Sequence, residues 1–272
     1  MRKLRKGFVV SSLVAVIAVC FGYPALSTYI NTLSETKAIQ EYTTNSISLE
    51  KQEQLLEEAD DYNQTLFKIK NPLSNKESAD GYDETLNVQG SMMGYLEVPS
   101  IDLKLPIYHY TTSDSLEKGV GHMVGTSLPC GGESTHTVLS SHNGMSNHTG
   151  FTNLELLNEG DIFKITVLNR TLTYEVDQIK TVLPDEYSNL EIVEGEDLVT
   201  LLTCTPYGIN THRLLVRGHR IENIKEPATK VKEIKLNTKQ KLIAGTIAIS
   251  AAVLATRILL RKKRKEAYAK KF

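Results

Sequence analysis

Two apolar runs bracket this chain and constrain its topology before any other feature is read. Phe8 to Leu26 and Leu242 to Leu260 each approach the roughly 20 residues a helix needs to cross a bilayer. Met1-Arg-Lys-Leu-Arg-Lys6 precedes the first, and Arg-Lys-Lys-Arg-Lys at 261–265 follows the second. Arg257 is the one charge within the second run, close enough to its end for a long side chain to snorkel to the headgroups. Positive charge stays on the cytoplasmic side. Both termini are therefore expected inside the cell, with residues 30 to 238 or so outside. The first run is longer than a signal-peptide core of about 7–15 residues and shows no clear small-x-small cleavage site. An uncleaved anchor is the expectation, with a cleaved signal as its alternative.

Between the runs the character of the chain changes stepwise. After residues 1–30, residues 31–70 are rich in Glu, Gln and Lys with apolar residues at broken helical spacing, which predicts a membrane-proximal helical extension. Residues 71–90 carry Pro72, Ser74, Asn75, Ser78 and Gly81 among many charges, the composition of a long loop. Residues 91–224 alternate short β-branched runs with turn residues, for example Leu103 to Tyr108, Ile162 to Leu168 and Leu198 to Thr203. That pattern predicts a compact, mainly β barrel or sandwich with few helices. A linker (225–240), the second span (241–260) and a basic cytoplasmic tail (261–272) complete the division. The net charge of −1 gives no reason to expect a nucleic-acid partner.

The chemistry concentrates around Cys204. Leu198 to Leu202 reads as a buried strand, Pro206, Gly208 and Asn210 as a turn, and Leu214 to Val216 as the returning strand. If the two strands pair, Cys204 and Arg213 face each other across the mouth of the hairpin. The thiolate is the nucleophile, and a guanidinium nearby favours it. The same guanidinium stabilises an oxyanion on an attacked carbonyl. Acyl transfer also needs an acid/base, and histidine suits the task. Among seven histidines, His142 stands at the end of the run Thr137 to Ser141, just before the turn signal Asn143-Gly144. His212 is the local rival, but it neighbours Arg213, and adjacent strand residues face opposite ways. Cys130 sits in a Pro-Cys-Gly-Gly turn and reads as a small packed residue. No paired cysteine or histidine spacing suggests zinc, and no phosphate-binding loop is present. No metal or cofactor is expected.

Leu202-Thr203-Cys204 with Arg213 after the turn and His142 upstream resembles the sortases, membrane-bound cysteine transpeptidases of Gram-positive bacteria. The segments Thr200 to Arg220, Gly121 to Pro129 and Ser140-Ser-His-Asn-Gly144 resemble the class C, pilin-polymerising subgroup. The resemblance implies an eight-stranded sortase-type β-barrel with short helices, flanked by the two transmembrane helices. It implies Cys204, His142 and Arg213 as catalytic residues. It implies cleavage of a Leu-Pro-x-Thr-Gly-like signal between Thr and Gly, a thioacyl intermediate, and lysine isopeptide bonds between pilins. The subgroup also carries a lid of an acidic residue, proline and an aromatic. Asp80-Gly81-Tyr82 falls within the lid loop at 71–90, with Gly81 in the place of the usual proline. By that analogy Asp80 contacts Arg213 and Tyr82 covers Cys204. Anchoring of surface proteins to the cell wall and an inactive membrane-tethered scaffold are the alternatives.

Overall fold

The structure is a computed structural model that describes residues 23, 26–44, 47–69, 73, 80–88, 90–144 and 150–223. The chain divides into two compact units, Asn31–Lys225 and a second formed by Met1–Ile30 with Glu226–Phe272. Both expected membrane spans lie outside the described residues, apart from Tyr23 and Leu26 at the end of the first. No helix among the described residues is long and apolar enough to cross a membrane.

The larger unit is built on eight strands: β1 (Met92–Val98), β2 (Leu103–Tyr108), β3 (Val120–His122), β4 (Thr135–Ser140), β5 (Ile162–Val167), β6 (Arg170–Val182), β7 (Asp197–Thr205) and β8 (His212–Ile221). They close into a barrel in the order β1-β2-β3-β4-β7-β8-β6-β5. Most pairs are antiparallel, and the seam is the β1–β5 pair. Two pairs are parallel, β2 with β3 and β4 with β7. The mainly β expectation holds, and the eight-stranded barrel is closed.

Side-chain alternation sorts the strand residues into an inner and an outer set. Val199 and Leu201 of β7, Leu214 and Val216 of β8 and Leu139 of β4 belong to the main core. Their neighbours Leu202, Leu215 and Val138 belong to a second cluster on the opposite face, with Val182 and Leu190. This second cluster exists because β4, β7, β8 and β6 are covered on the outside as well. The near-continuous apolar run of β7, Leu198 to Leu202, reflects burial on both faces.

Helices 31–44 (α1), Leu49–Lys68 (α2) and Ser113–Lys118 (α3) complete the larger unit. The Ser48 hydroxyl caps α2 by accepting from the Lys51 N–H. Leu56, Ala59, Tyr62 and Leu66 recur at helical spacing along one face and enter the main barrel core. Two polar links fix α2 to the barrel. The Asn63 carboxamide donates to Leu128 O and accepts from Leu128 N at 3.2 and 2.7 Å. Asp60 receives a bidentate bond from Arg170 at 2.8 and 3.0 Å. The helical extension read from the sequence therefore packs against the barrel as part of its core.

Candidate active site

Cys204 and Arg213 are register partners across the antiparallel β7–β8 ladder. Both have the parity of Leu202 and Leu215, so both side chains stand on the outer face of the barrel. His212 has the parity of Leu214 and Val216, the inner set. Cys204 is a free, half-buried thiol. The Arg213 guanidinium donates to the carbonyl oxygens of Asn210 and His212 at 3.2 and 3.0 Å. It is held by its own turn, which fixes a cation at the hairpin mouth.

His142 arrives from the neighbouring strand. β4 runs parallel to β7, with Ser140 partnering Leu202. Carrying that register two residues on brings His142 level with Cys204. The link is reinforced where β4 ends: Ser141 N–H donates to Leu202 O at 3.3 Å, and the Thr203 hydroxyl donates to Ser141 O at 2.8 Å. Asn143 Nδ2 donates to Cys204 O at 2.9 Å. Ser141 Oγ also donates to Gly119 O, tying this corner to the end of α3. The structure thus brings Cys204, Arg213 and the His142 backbone to one end of three adjacent strands.

Three other described histidines, His109, His122 and His136, are engaged elsewhere. His122 is fully buried, its Nε2–H donating to Ser127 O and its Nδ1 accepting from the Tyr82 hydroxyl, both at 2.8 Å. Burial pushes its pKa down to about 4. His136 is pushed down to about 4 as well, again by burial. It donates to Glu191 O and accepts from the Thr200 hydroxyl, both at 2.8 Å. The two ring nitrogens of His109 face Ser91 O and Thr85 O. Cys130 is buried against Asn63 and Arg170, and desolvation raises its thiol well above the ordinary range. It is a packed thiol with no access to an acyl donor.

The two lid residues read from the sequence are placed apart from Cys204. Asp80 is exposed, and among the described residues the Arg213 guanidinium bonds only to its own turn carbonyls. Tyr82 is 5% exposed. Its ring stacks on His122 and meets His109 and Tyr110 edge-on, and its hydroxyl accepts from Tyr110 N–H. That pocket is formed by Tyr62 of α2, His109 and Tyr110 after β2, and His122 of β3, and Tyr82 is a buried anchor there. A buried aromatic with a satisfied hydroxyl is a packing residue. Among the described residues of 71–90, Leu73 is one whose side chain joins the outer-face cluster of β4, β6, β7 and β8. It is 8% exposed and joins the cluster of Val138, Val182, Leu190, Leu202 and Leu215, with Met123 and Tyr187 at its edge. The sequence held a signal for this: Leu73 directly follows Pro72, so the proline that Gly81 lacked stands there.

A free cysteine opposite an arginine, with a histidine brought level with it at the end of a parallel strand, is an arrangement able to carry acyl transfer on the thiol. Comparison with known proteins agrees. The sortase domain family model matches residues 96–221. Sortase D of Bacillus subtilis is 32% identical over 135 residues, covering 48% of this chain and 65% of that sequence. Sortase C1 of Streptococcus agalactiae is 40% identical with a TM-score of 0.62, covering 69% of this chain and 100% of the solved one. Sortase C of Clostridium perfringens, solved with the C-terminal cell wall sorting motif, is 46% identical with a TM-score of 0.62, covering 69% and 100%. The chain belongs to the sortase family, whose members are cysteine transpeptidases, and it is structurally similar to the class C sortases.

Proposed function

We propose that this protein is a membrane-anchored transpeptidase that polymerises pilins. Cys204 attacks the Thr carbonyl of a Leu-Pro-x-Thr-Gly-like signal near a pilin C-terminus. Negative charge collects on the carbonyl oxygen, which Arg213 is placed to stabilise. The C–N bond breaks, and the Gly amine leaves with a proton from His142. A lysine amine of the next pilin then attacks the thioester and gives its proton to His142. The C–S bond breaks, and an isopeptide bond remains. The energy of the cleaved amide is kept in the thioester, so the reaction calls for no cofactor.

The observation that carries this reading is the opposition of Cys204 and Arg213 across β7–β8, with the His142 corner hydrogen-bonded to it. The subgroup assignment is supported by the class C neighbours and by the sorting motif bound to one of them. Membrane location with two spans is supported by the basic-flanked apolar runs at 8–26 and 242–260.

The test is a denaturing gel of cell-wall extracts from cells carrying the native chain or Cys204→Ala, probed for a neighbouring pilin. A high-mass ladder that needs Cys204 supports polymerisation. A ladder independent of Cys204, with loss of wall-linked monomer, points to wall anchoring. No effect of Cys204→Ala on either points to a scaffold.

A further inference from the structure

Strand β4 stops at Ser140 while β7 continues to Thr205. The last backbone donor from this edge is Ser141 N–H, bonded to Leu202 O. In a parallel ladder the next donor is the N–H two residues on, directed at the carbonyl two residues on. Here that would be Asn143 N–H to Cys204 O. Instead the Asn143 side chain supplies the bond, Nδ2 to Cys204 O at 2.9 Å. The carboxamide imitates one more rung of sheet after the main chain has left it. His142 O meanwhile accepts from Phe151 N–H at 2.9 Å, which closes the loop that carries the imidazole. Asn143 Oδ1 is buried and has no hydrogen-bond partner among the described residues. The side chain is thus held through its NH2 group.

A second contact joins the same two loops. Gly144 has φ of +81°, and a side chain there would overlap the Tyr207 ring. The His142 loop therefore lies against the Cys204 loop, and the Asn143 side chain links it to Cys204 itself.

We propose that Asn143 is a positioning residue for acyl transfer. Its side-chain amide locks the His142 loop to the backbone of Cys204 and so fixes imidazole against thiol. The proposal rests on the reading of Cys204 and His142 as the reacting pair. The donor is specific to the carboxamide: aspartate has the same shape but no N–H to offer, and alanine leaves Cys204 O without its partner. Misplacement by about 1 Å is enough to cost roughly 100-fold in rate.

The test uses the purified full chain and a fluorogenic peptide bearing a Leu-Pro-x-Thr-Gly signal. Native chain, Asn143→Asp, Asn143→Ala and Asn143→Gln are compared, with Cys204→Ala and His142→Ala as references. Asn143→Asp and Asn143→Ala should lower kcat by about 10- to 100-fold with KM essentially unchanged. Asn143→Gln, which keeps the NH2 donor, should recover part of the loss. Native kcat in the Asp or Ala variant, or a loss confined to KM, overturns the proposal. So does a Gln variant no better than Ala. If the variants fail to fold, the side-chain NH2 protons of Asn143 in the native chain decide: slow solvent exchange is expected, and free exchange overturns the tether. Activity retained in Cys204→Ala or His142→Ala overturns the transpeptidase reading itself, whatever Asn143 does.

Discussion

Leu73 and Leu202 share one buried cluster on the outer face of the barrel, and Leu202 lies two residues before Cys204 on that same face. An apolar side chain from outside the barrel therefore occupies the surface that leads to the nucleophile. Replacing Leu73 by Ala should speed labelling of Cys204 by a bulky thiol reagent. Tyr82→Phe should leave that rate unchanged while lowering stability by about 1–2 kcal/mol, because His122 Nδ1 loses its donor. Thermal unfolding and labelling kinetics on the two variants check this. Faster labelling in Tyr82→Phe alone would return the covering role to Tyr82.

Arg213 is fixed by two carbonyl bonds of its own turn and stands opposite Cys204. Arg213→Ala should lower kcat by about 100- to 1000-fold, the usual loss of an oxyanion donor. Arg213→Lys should not restore it, since a flexible ammonium does not reproduce the planar fork. Steady-state cleavage of the signal peptide measures both, and substantial rescue by Lys would reduce the role to a point charge.

Gly144 is required on two counts, a positive φ and the Tyr207 ring above it. Gly144→Ala should push the His142 loop off the Cys204 loop and depress acyl transfer. Adding Tyr207→Ala should relieve the overlap and leave only the backbone strain of about 1 kcal/mol. Tyr207 is 62% exposed, so its removal by itself costs little burial. Peptide cleavage and unfolding midpoints of the single and double variants separate the two causes.

His122 and His136 are both held neutral in the fold by burial, each pushed down to about 4. The unfolded chain takes up these protons as pH falls through about 6.5, while the folded chain does not until about 4. The unfolded state then binds more protons, so stability rises with pH across that window. Urea unfolding midpoints should fall steadily from pH 6.5 to 4 and flatten for this contribution above it. His122→Phe or His136→Phe should weaken the slope, and an unchanged slope in both would place the titration elsewhere.

Much of the site was legible before any coordinates. The run ending at Cys204, the turn residues Pro206, Gly208 and Asn210, and the return beginning at Arg213 dictate a hairpin, and hairpin pairing is local. The structure pairs the two residues as that reading required. His142 was legible as a strand-end residue before Asn143-Gly144. What could not be read was the strand on which it lies beside β7, because a parallel neighbour is set by a long connection. The lid residues were misplaced for a related reason. Tyr82 and Leu73 occupy the same irregular stretch, and no periodicity tells which of them folds toward Cys204. Asn143 looked like a turn residue, and its amide was recognised as a donor only where Cys204 O stood within reach.

The sequence by itself determined the mainly β character, the chemistry of a cysteine facing an arginine, and the helical nature of the extension before the barrel. These follow from residue type and short-range spacing, which act within a few residues. Only the tertiary structure decided that β4 and β7 lie parallel, that α2 packs into the barrel core, and that Leu73 joins the cluster of Leu202 while Tyr82 packs against His122. Those outcomes depend on which apolar faces find each other across long stretches of chain. The burial that selects them is non-directional and leaves no mark in local spacing.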